Sequence, residues 1–257
     1  MDIQALLLQI KISMFFYHFG KYLLFLKNVF TKPENLKVYW KEIVREMNLI
    51  GVGSFGIIAV ISIFLGAVTC IQTAYQLVSN LIPRDIIGVI TRDSVIIEFS
   101  PTICLLVLAG RVGGSIASEL GTMRVTEQID ALEIMGVNSS GYLVLPKIIA
   151  SVITIPMLVV ISMFLGIVSA YLIGPLTGVI SGAEFISGVL RDWNPYIVFV
   201  ALIKTYIFSF LLSSVSAYQG FYTKGGALDV GISSTKAVVY SSVLILFADY
   251  LVAQVLL

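Results

Sequence analysis

The chain alternates long stretches that carry no charge with shorter polar ones. Met47–Pro83 runs 37 residues without a charged side chain, and Ile148–Ala183 runs 36. Asn194–Ala217 is interrupted only by Lys204, and Ala237–Leu257 only by Asp249. A bilayer core takes about 20 consecutive apolar residues per helix, so these four runs predict spans near residues 51–78, 148–173, 194–217 and 237–257. Residues 94–118 are a fifth candidate, with Glu98 near one end and Arg111 near the other. Their uncharged middle, Phe99–Gly110, is short alone; between two stronger spans it reads as a helix with polar ends. The expected fold is an all-α membrane protein with five transmembrane helices in residues 47–257.

Residues 1–46 read differently. The first 30 are apolar but broken by Lys11, Lys21 and Lys27. Gln4, Lys11 and His18 fall seven apart, on one helical face with Lys21 nearby, and Leu, Ile and Phe lie opposite. That is the pattern of an amphipathic helix in the membrane interface. A signal peptide is the rival; here the basic residues follow the apolar run and no small-residue cleavage site appears. Thr31–Glu46, with Pro33 and mixed charge, reads as a linker. With the N-terminus inside, 12 of the 16 Lys and Arg fall on the cytoplasmic side and only Arg84, Arg92 and Arg191 on the other. The positive-inside rule then predicts a cytoplasmic N-terminus and a periplasmic C-terminus.

Composition agrees. Apolar residues make up 58% and charged ones 12%, with a mean hydropathy of +0.99. A soluble domain of this size cannot bury so much apolar surface, and disorder is excluded for the same reason. The net charge of +1 argues against nucleic acid as a partner. Cys70 and Cys104 lie in apolar runs and read as packing residues, and the single His18 offers no metal cluster. Gly51-Val-Gly-Ser-Phe-Gly56 matches a dinucleotide pattern but lacks the strand before it and the acidic residue after it. Like Gly110–Gly114 and Gly174–Gly178, it reads as small residues that let helices approach. There is no Walker loop and no nucleophile–base set, so any work against a gradient would need energy supplied by a partner.

Charges inside spans are costly and mark function or pairing. Lys204 lies about 13 Å from the outer end of its span, Asp249 about 12 Å and Glu98 about 6 Å. Opposite signs at similar depth suggest a Lys204–Asp249 pair, read either as a structural bridge or as a polar site for a headgroup or ion. Glu98 has no obvious partner in its own helix and reads as functional. Gln72, Tyr75 and Gln76, near the outer end of the first span, are candidates to face the same place.

The loop between spans two and three carries a second signal. Val125, Ile129, Leu132 and Met135 form an apolar stripe; Glu127, Asp130 and Glu133 form an acidic one beside it. Gly136 is placed to end the helix. The acidic stripe argues against lying on an anionic leaflet and for docking into a groove of a soluble partner. The predicted amphipathic helix spans about 124–136, the segment that the resemblance below makes a coupling helix.

The run Ala109-Gly-Arg-Val-Gly-Gly-Ser-Ile-Ala-Ser-Glu-Leu-Gly-Thr-Met-Arg-Val-Thr-Glu-Gln-Ile-Asp-Ala-Leu-Glu133 strongly resembles the MlaE/YrbE permease family, and Gly225–Ser242 with Asp249 looks like that family's last loop and helix. The similarity covers about residues 45–257. The resemblance implies the membrane subunit of an ABC system moving phospholipid between the inner and outer membranes of diderm bacteria, and so bearing on outer-membrane lipid asymmetry. It implies a homodimer in the inner membrane, cytoplasmic ABC ATPase subunits that bind ATP, and a periplasmic MCE-domain lipid-binding protein. No enzyme activity and no cofactor are expected on this chain. The coupling residues map onto Val125, Glu127, Gln128, Ile129, Asp130 and Leu132, and a lipid cavity onto Gln72, Tyr75, Gln76, Glu98 and Phe99. Glu98 matches the family's E-x-G-P motif, here Glu98-Phe-Ser-Pro101, with Ser100 in place of Gly. The rival reading is an ion-coupled secondary transporter using Glu98, Lys204 and Asp249; the inverted repeats of such folds are missing.

Overall fold

The computed structural model describes residues 3–31, 36–77 and 83–256, the side chains of 3–15 and 36–38 excepted. Of the readings above, Pro33 and Val78 and the side chains of Gln4 and Lys11 fall outside that description. The described residues are helical and include no strand. Five helices are long and apolar enough to cross a membrane: Tyr39–Gln76, Asp85–Val125, Ser139–Leu176, Pro195–Phe221 and Ala227–Leu256. They are called the first to fifth spans. The first three have 38, 41 and 38 residues, close to 60 Å at about 1.5 Å per residue and twice a hydrocarbon core. Hydropathy locates the lipid-facing part of a helix; the helix itself continues through Asp85, Arg92, Glu119 and Arg124. Gln76, Asp85, Leu176 and Pro195 mark one end of the bundle, here the distal end, and Val125 and Ser139 the proximal end.

Three π-helical stretches interrupt the first two spans, at Asn48–Val52, Val95–Ile103 and Ala109–Gly113. The second contains Pro101, whose missing N–H a π turn accommodates within the helix. The first span packs along the third, and the fourth packs on the third, the fifth and the proximal part of the second. The closest backbone approach between spans is not at the three glycine motifs picked out in the sequence. A methyl group on Gly66 would collide with the Gly166 carbonyl. Gly56 and Gly110 face open space, and Gly53 makes room for a side chain: a Cβ there would lie 2.9 Å from an Arg111 guanidinium nitrogen.

Hydroxyls stitch the interior. Ser62 and Ser162 are 2.8 Å apart, Ser162 donates to Ser100 at 3.2 Å, and Cys104 Sγ lies 3.1 Å from the Ser162 oxygen. Ser100, standing where the family pattern has Gly, thus joins a chain of bonds across the first three spans. The fifth span is marginal. Its buried residues are Val230, Ala237, Ser241, Ile245 and Asp249, a stripe one residue wide, and Val243, Phe247 and Tyr250 are exposed on its other sides.

Ion pairs fix both ends. Lys147, buried at the proximal end, meets Glu46 at 2.6 Å and Glu119 at 2.7 Å, tying the first three spans together. At the distal end Arg92 is buried and donates to the Val189 and Arg191 carbonyls, both at 2.8 Å, and to Asp93. It thereby caps a short helix, Gly182–Leu190, in the stretch between the third and fourth predicted spans. Ser181 and Glu184 close a capping box at its start, a signal visible in the sequence as Ser-x-x-Glu. The same Arg92, counted above as a loop charge, is enclosed because these carbonyls satisfy it.

The N-terminal helix, Ile3–Phe30, buries Phe25 and Val29. Tyr22 reaches the Ser214 hydroxyl at 2.7 Å, and Asn138 donates to the Asn28 and Thr31 carbonyls. Its outward side is less polar than the amphipathic pattern implied. His18 is exposed there, but so are Phe16, Tyr17, Phe19, Leu23 and Leu24.

Candidate functional site

The three intramembrane charges meet. Lys204, fully buried, places its ammonium 2.7 Å from Asp249 and 3.1 Å from Glu98. The pairing expected for Lys204 and Asp249 is present in the structure, and Glu98 finds its partner on the fourth span instead of its own helix. Pro101 offers no N–H to the carbonyl of Ile97 four residues before it, and that carbonyl accepts from Lys204 at 3.4 Å. Thr102, also in the π stretch, donates to Asp249 at 3.2 Å. The π turn therefore brings Glu98, Ile97 and Thr102 together onto two neighbouring helices. Thr102 was not anticipated; its signal was only its place beside Pro101.

A lysine in this setting must be paired, because an isolated buried charge costs several kcal/mol. Two carboxylates against one ammonium leave a formal charge of −1. The side chain of Asp249 is nearly enclosed, while that of Glu98 is 46% exposed. The cluster thus has a closed structural side and an open anionic side. Phe99 is half-buried next to it, whereas Gln72, Tyr75 and Gln76 stand exposed near the distal end of the first span. None of these four makes a hydrogen bond to the cluster among the described residues.

The second candidate region is the proximal loop. The expected continuous helix over 124–136 is broken: the second span ends at Val125, Glu127 adopts φ 60°, and a new helix covers Gln128–Ile134. Thr122 and Thr126 hydroxyls bond back to carbonyls four residues earlier, which competes with helix continuation. Arg124 then clips the turn by pairing with Asp130 at 2.6 Å. Gly136, at φ 78°, ends the short helix; its N–H bonds to Glu133 and that of Val137 to Leu132.

This break changes the face that is presented. Ile129 is buried and cannot touch a partner, and Val125 and Leu132 are half-buried. Glu127 and Gln128 are exposed and Asp130 is held by Arg124. The exposed apolar residues are Ile134, at 87%, and Met135, at 68%. The sequence reading passed over Ile134 because it falls off the 125–129–132–135 stripe, which presumed an unbroken helix.

Five helices able to cross a membrane, with a charged cluster among them and a capped loop at one end, are the architecture of a multi-pass membrane protein. The chain belongs to the MlaE permease family: the family profile, Permease MlaE, matches residues 43–255. A protein of Rickettsia bellii named Probable ABC transporter permease protein is 37% identical over 235 residues, covering 91% of this chain and 90% of its own. A Synechocystis protein also named as a probable ABC transporter permease is 34% identical, covering 80% and 78%. The Arabidopsis thaliana protein Trigalactosyldiacylglycerol 1, chloroplastic, is 34% identical, covering 85% of this chain and 62% of the plant protein. The chain is accordingly an ABC transporter permease of this family, a transport subunit.

Proposed function

We propose that this chain is the permease of an ABC transporter that moves phospholipid or a related lipid between the inner and outer membranes. The observation that carries the reading is the Glu98–Lys204–Asp249 cluster, closed toward the bundle and open at Glu98. A net charge of −1 attracts the ammonium of a zwitterionic headgroup, and Glu98 is the member exposed enough to meet it. Phe99 and the apolar flank of the first span, with Gln72, Tyr75 and Gln76 at its end, would line the path of the tails. The plant relative, named for a galactolipid, supports a lipid cargo.

In this reading the permease is a homodimer in the inner membrane, with the N-terminus cytoplasmic and the C-terminus periplasmic. One ATPase subunit docks on each proximal loop, through Ile134 and Met135 with Glu127 and Gln128 at the rim. ATP bound by the ATPase drives closure, which Lys147 passes to the first three spans through Glu46 and Glu119. A periplasmic MCE-domain protein exchanges lipid with the cavity. Family membership favours this over an ion-coupled carrier, which would not need a docking loop.

The test is affinity purification of the tagged chain in mild detergent, with co-purifying proteins and bound lipid identified by mass spectrometry. An ABC ATPase present with wild type and absent with Ile134→Asp supports the reading, as does phospholipid retained by wild type and depleted by Glu98→Gln. A folded permease that never captures an ATPase, or moves lipid without nucleotide, would refute it.

A further inference from the structure

At the proximal end, away from the charged cluster, two lysines flank the Tyr222 ring, and neither pairs with a carboxylate among the described residues. Lys21, on the N-terminal helix, rests its ammonium over the Tyr222 ring at 3.7 Å from the centroid. Lys224 follows two residues later in the loop between the fourth and fifth spans. Among the described residues neither lysine forms an ion pair. The ring under the Lys21 ammonium belongs to Tyr222, two residues before Lys224, and partial burial and then the charge of Lys224 hold the Lys21 ammonium below the ordinary lysine value. The arrangement is held from both sides. Tyr22 and Phe25 anchor the helix on Ser214, Tyr218 and Phe221. The loop is set by Gly225 at φ 111°, where a Cβ would strike the Asp229 carboxylate that accepts from the Gly226 N–H.

With the nearby carboxylates of Asp229 and Glu133 accepting instead from the Gly226 N–H and the Ser139 hydroxyl, two unpaired cations flanking one ring favour an anion. Its source is indicated by what surrounds them. Phe16, Phe19, Leu23 and Leu24, before and after Lys21 on the same helix, are exposed, as suits acyl chains and not the polar rim of a soluble protein. Tyr222 also walls a cavity of about 540 Å³ that Asn28, Arg124, Asn138 and the Glu133 carboxylate line with polar groups, within the size of small-ligand sites. We propose that Lys21 and Lys224 clamp the phosphate of an anionic membrane phospholipid, with the polar remainder of its headgroup directed to this cavity. The site is separate from the one at Glu98: it binds a resident lipid at the bundle's rim, seating the N-terminal helix on the fourth span.

The test is native mass spectrometry of the intact purified chain, delipidated and then offered phosphatidylglycerol or phosphatidylcholine. Wild type is expected to retain phosphatidylglycerol preferentially. Each basic residue near an anionic lipid surface contributes about a 5-fold preference, so Lys21→Gln with Lys224→Gln should lower it roughly 30-fold. Lys21→Arg with Lys224→Arg should keep it, which separates lost charge from lost folding. Because Glu98 is intact in all three proteins, cargo bound there cancels in the comparison. Unchanged selectivity in the double Gln variant would overturn the proposal. So would displacement of the lipid by inorganic phosphate, which would make the site one for a free anion. Loss of a co-purifying ATPase with lipid selectivity intact would overturn it too, by making the patch a protein contact.

Discussion

Replacing Lys204 with Met removes the cation that faces the two carboxylates. Asp249 is left nearly enclosed, keeping the Thr102 hydroxyl as a donor. Breaking a buried pair from one side costs about 3–5 kcal/mol. Glu98 is half exposed, and its own loss of the contact adds about 1 kcal/mol or less. For a chain of this length the sum corresponds to a fall of roughly 10 °C in the unfolding midpoint. Neutralising the partner as well should restore most of it, since replacing both members of a buried pair is often nearly neutral. Lys204→Met with Asp249→Asn is therefore expected within about 1–2 kcal/mol of wild type, and Glu98→Gln alone close to wild type in stability but depleted in bound lipid. The assay is thermal unfolding in detergent micelles followed by tryptophan fluorescence, arranged as a double-mutant cycle over positions 204 and 249. A Lys204→Met protein as stable as wild type would refute the argument. So would a double variant as unstable as the single one, because the cost would then come from packing and not from an orphaned charge.

Three further outcomes follow from the same contacts. Ile134→Asp should abolish ATPase co-purification with an unchanged midpoint, whereas Ile129→Asp, at a buried position, should cost about 3 kcal/mol or more through an unpaired charge and disturb the loop before any docking is tested; equal behaviour of the two would contradict the broken-helix geometry. Gly66→Ala drives a methyl group into the Gly166 backbone, and overpacking of this kind costs about 1–3 kcal/mol, read as a lower midpoint. The capping bonds from Ser181 hold the Glu184 carboxyl below its ordinary value, so its contribution to the Gly182–Leu190 helix is present above the usual glutamate range and lost as pH falls through the lowered value; the amide-exchange protection factors of that helix, with the intrinsic pH dependence of exchange divided out, should fall at pH 3 relative to pH 6, and Glu184→Gln should remove the dependence.

How far the sequence reveals this molecule depends on which force decides each feature. The five spans are legible because the bilayer selects by composition over about 20 residues, and no tertiary contact is needed to read it. Lys204 and Asp249 are legible as a pair because depth along each helix is countable. Glu98 is legible as important but not as Lys204's second partner, since that contact joins different helices through a π turn at Pro101. Helix ends are less legible: charges such as Asp85 and Glu119 end the lipid-facing run without ending the helix. The break at Glu127 is hidden by a well-formed apolar stripe, because back-bonding threonines and the Arg124–Asp130 clip outweigh periodicity there. Ser-x-x-Glu at 181–184 did announce a helix start, and the absence of a long apolar run after it concealed the signal.

The contact between Lys204 and Asp249 also bears on how the chain enters the membrane. The fourth helix leaves the ribosome carrying a charge whose insertion costs about 2.5–3.5 kcal/mol at the membrane centre, and the fifth carries the opposite one. Only a five-residue connection, residues 222–226, separates the two helices. They are thus suited to partition as a neutral hairpin, each cancelling the other's penalty, and the last helix joins the bundle by matching a cation that is already waiting for it.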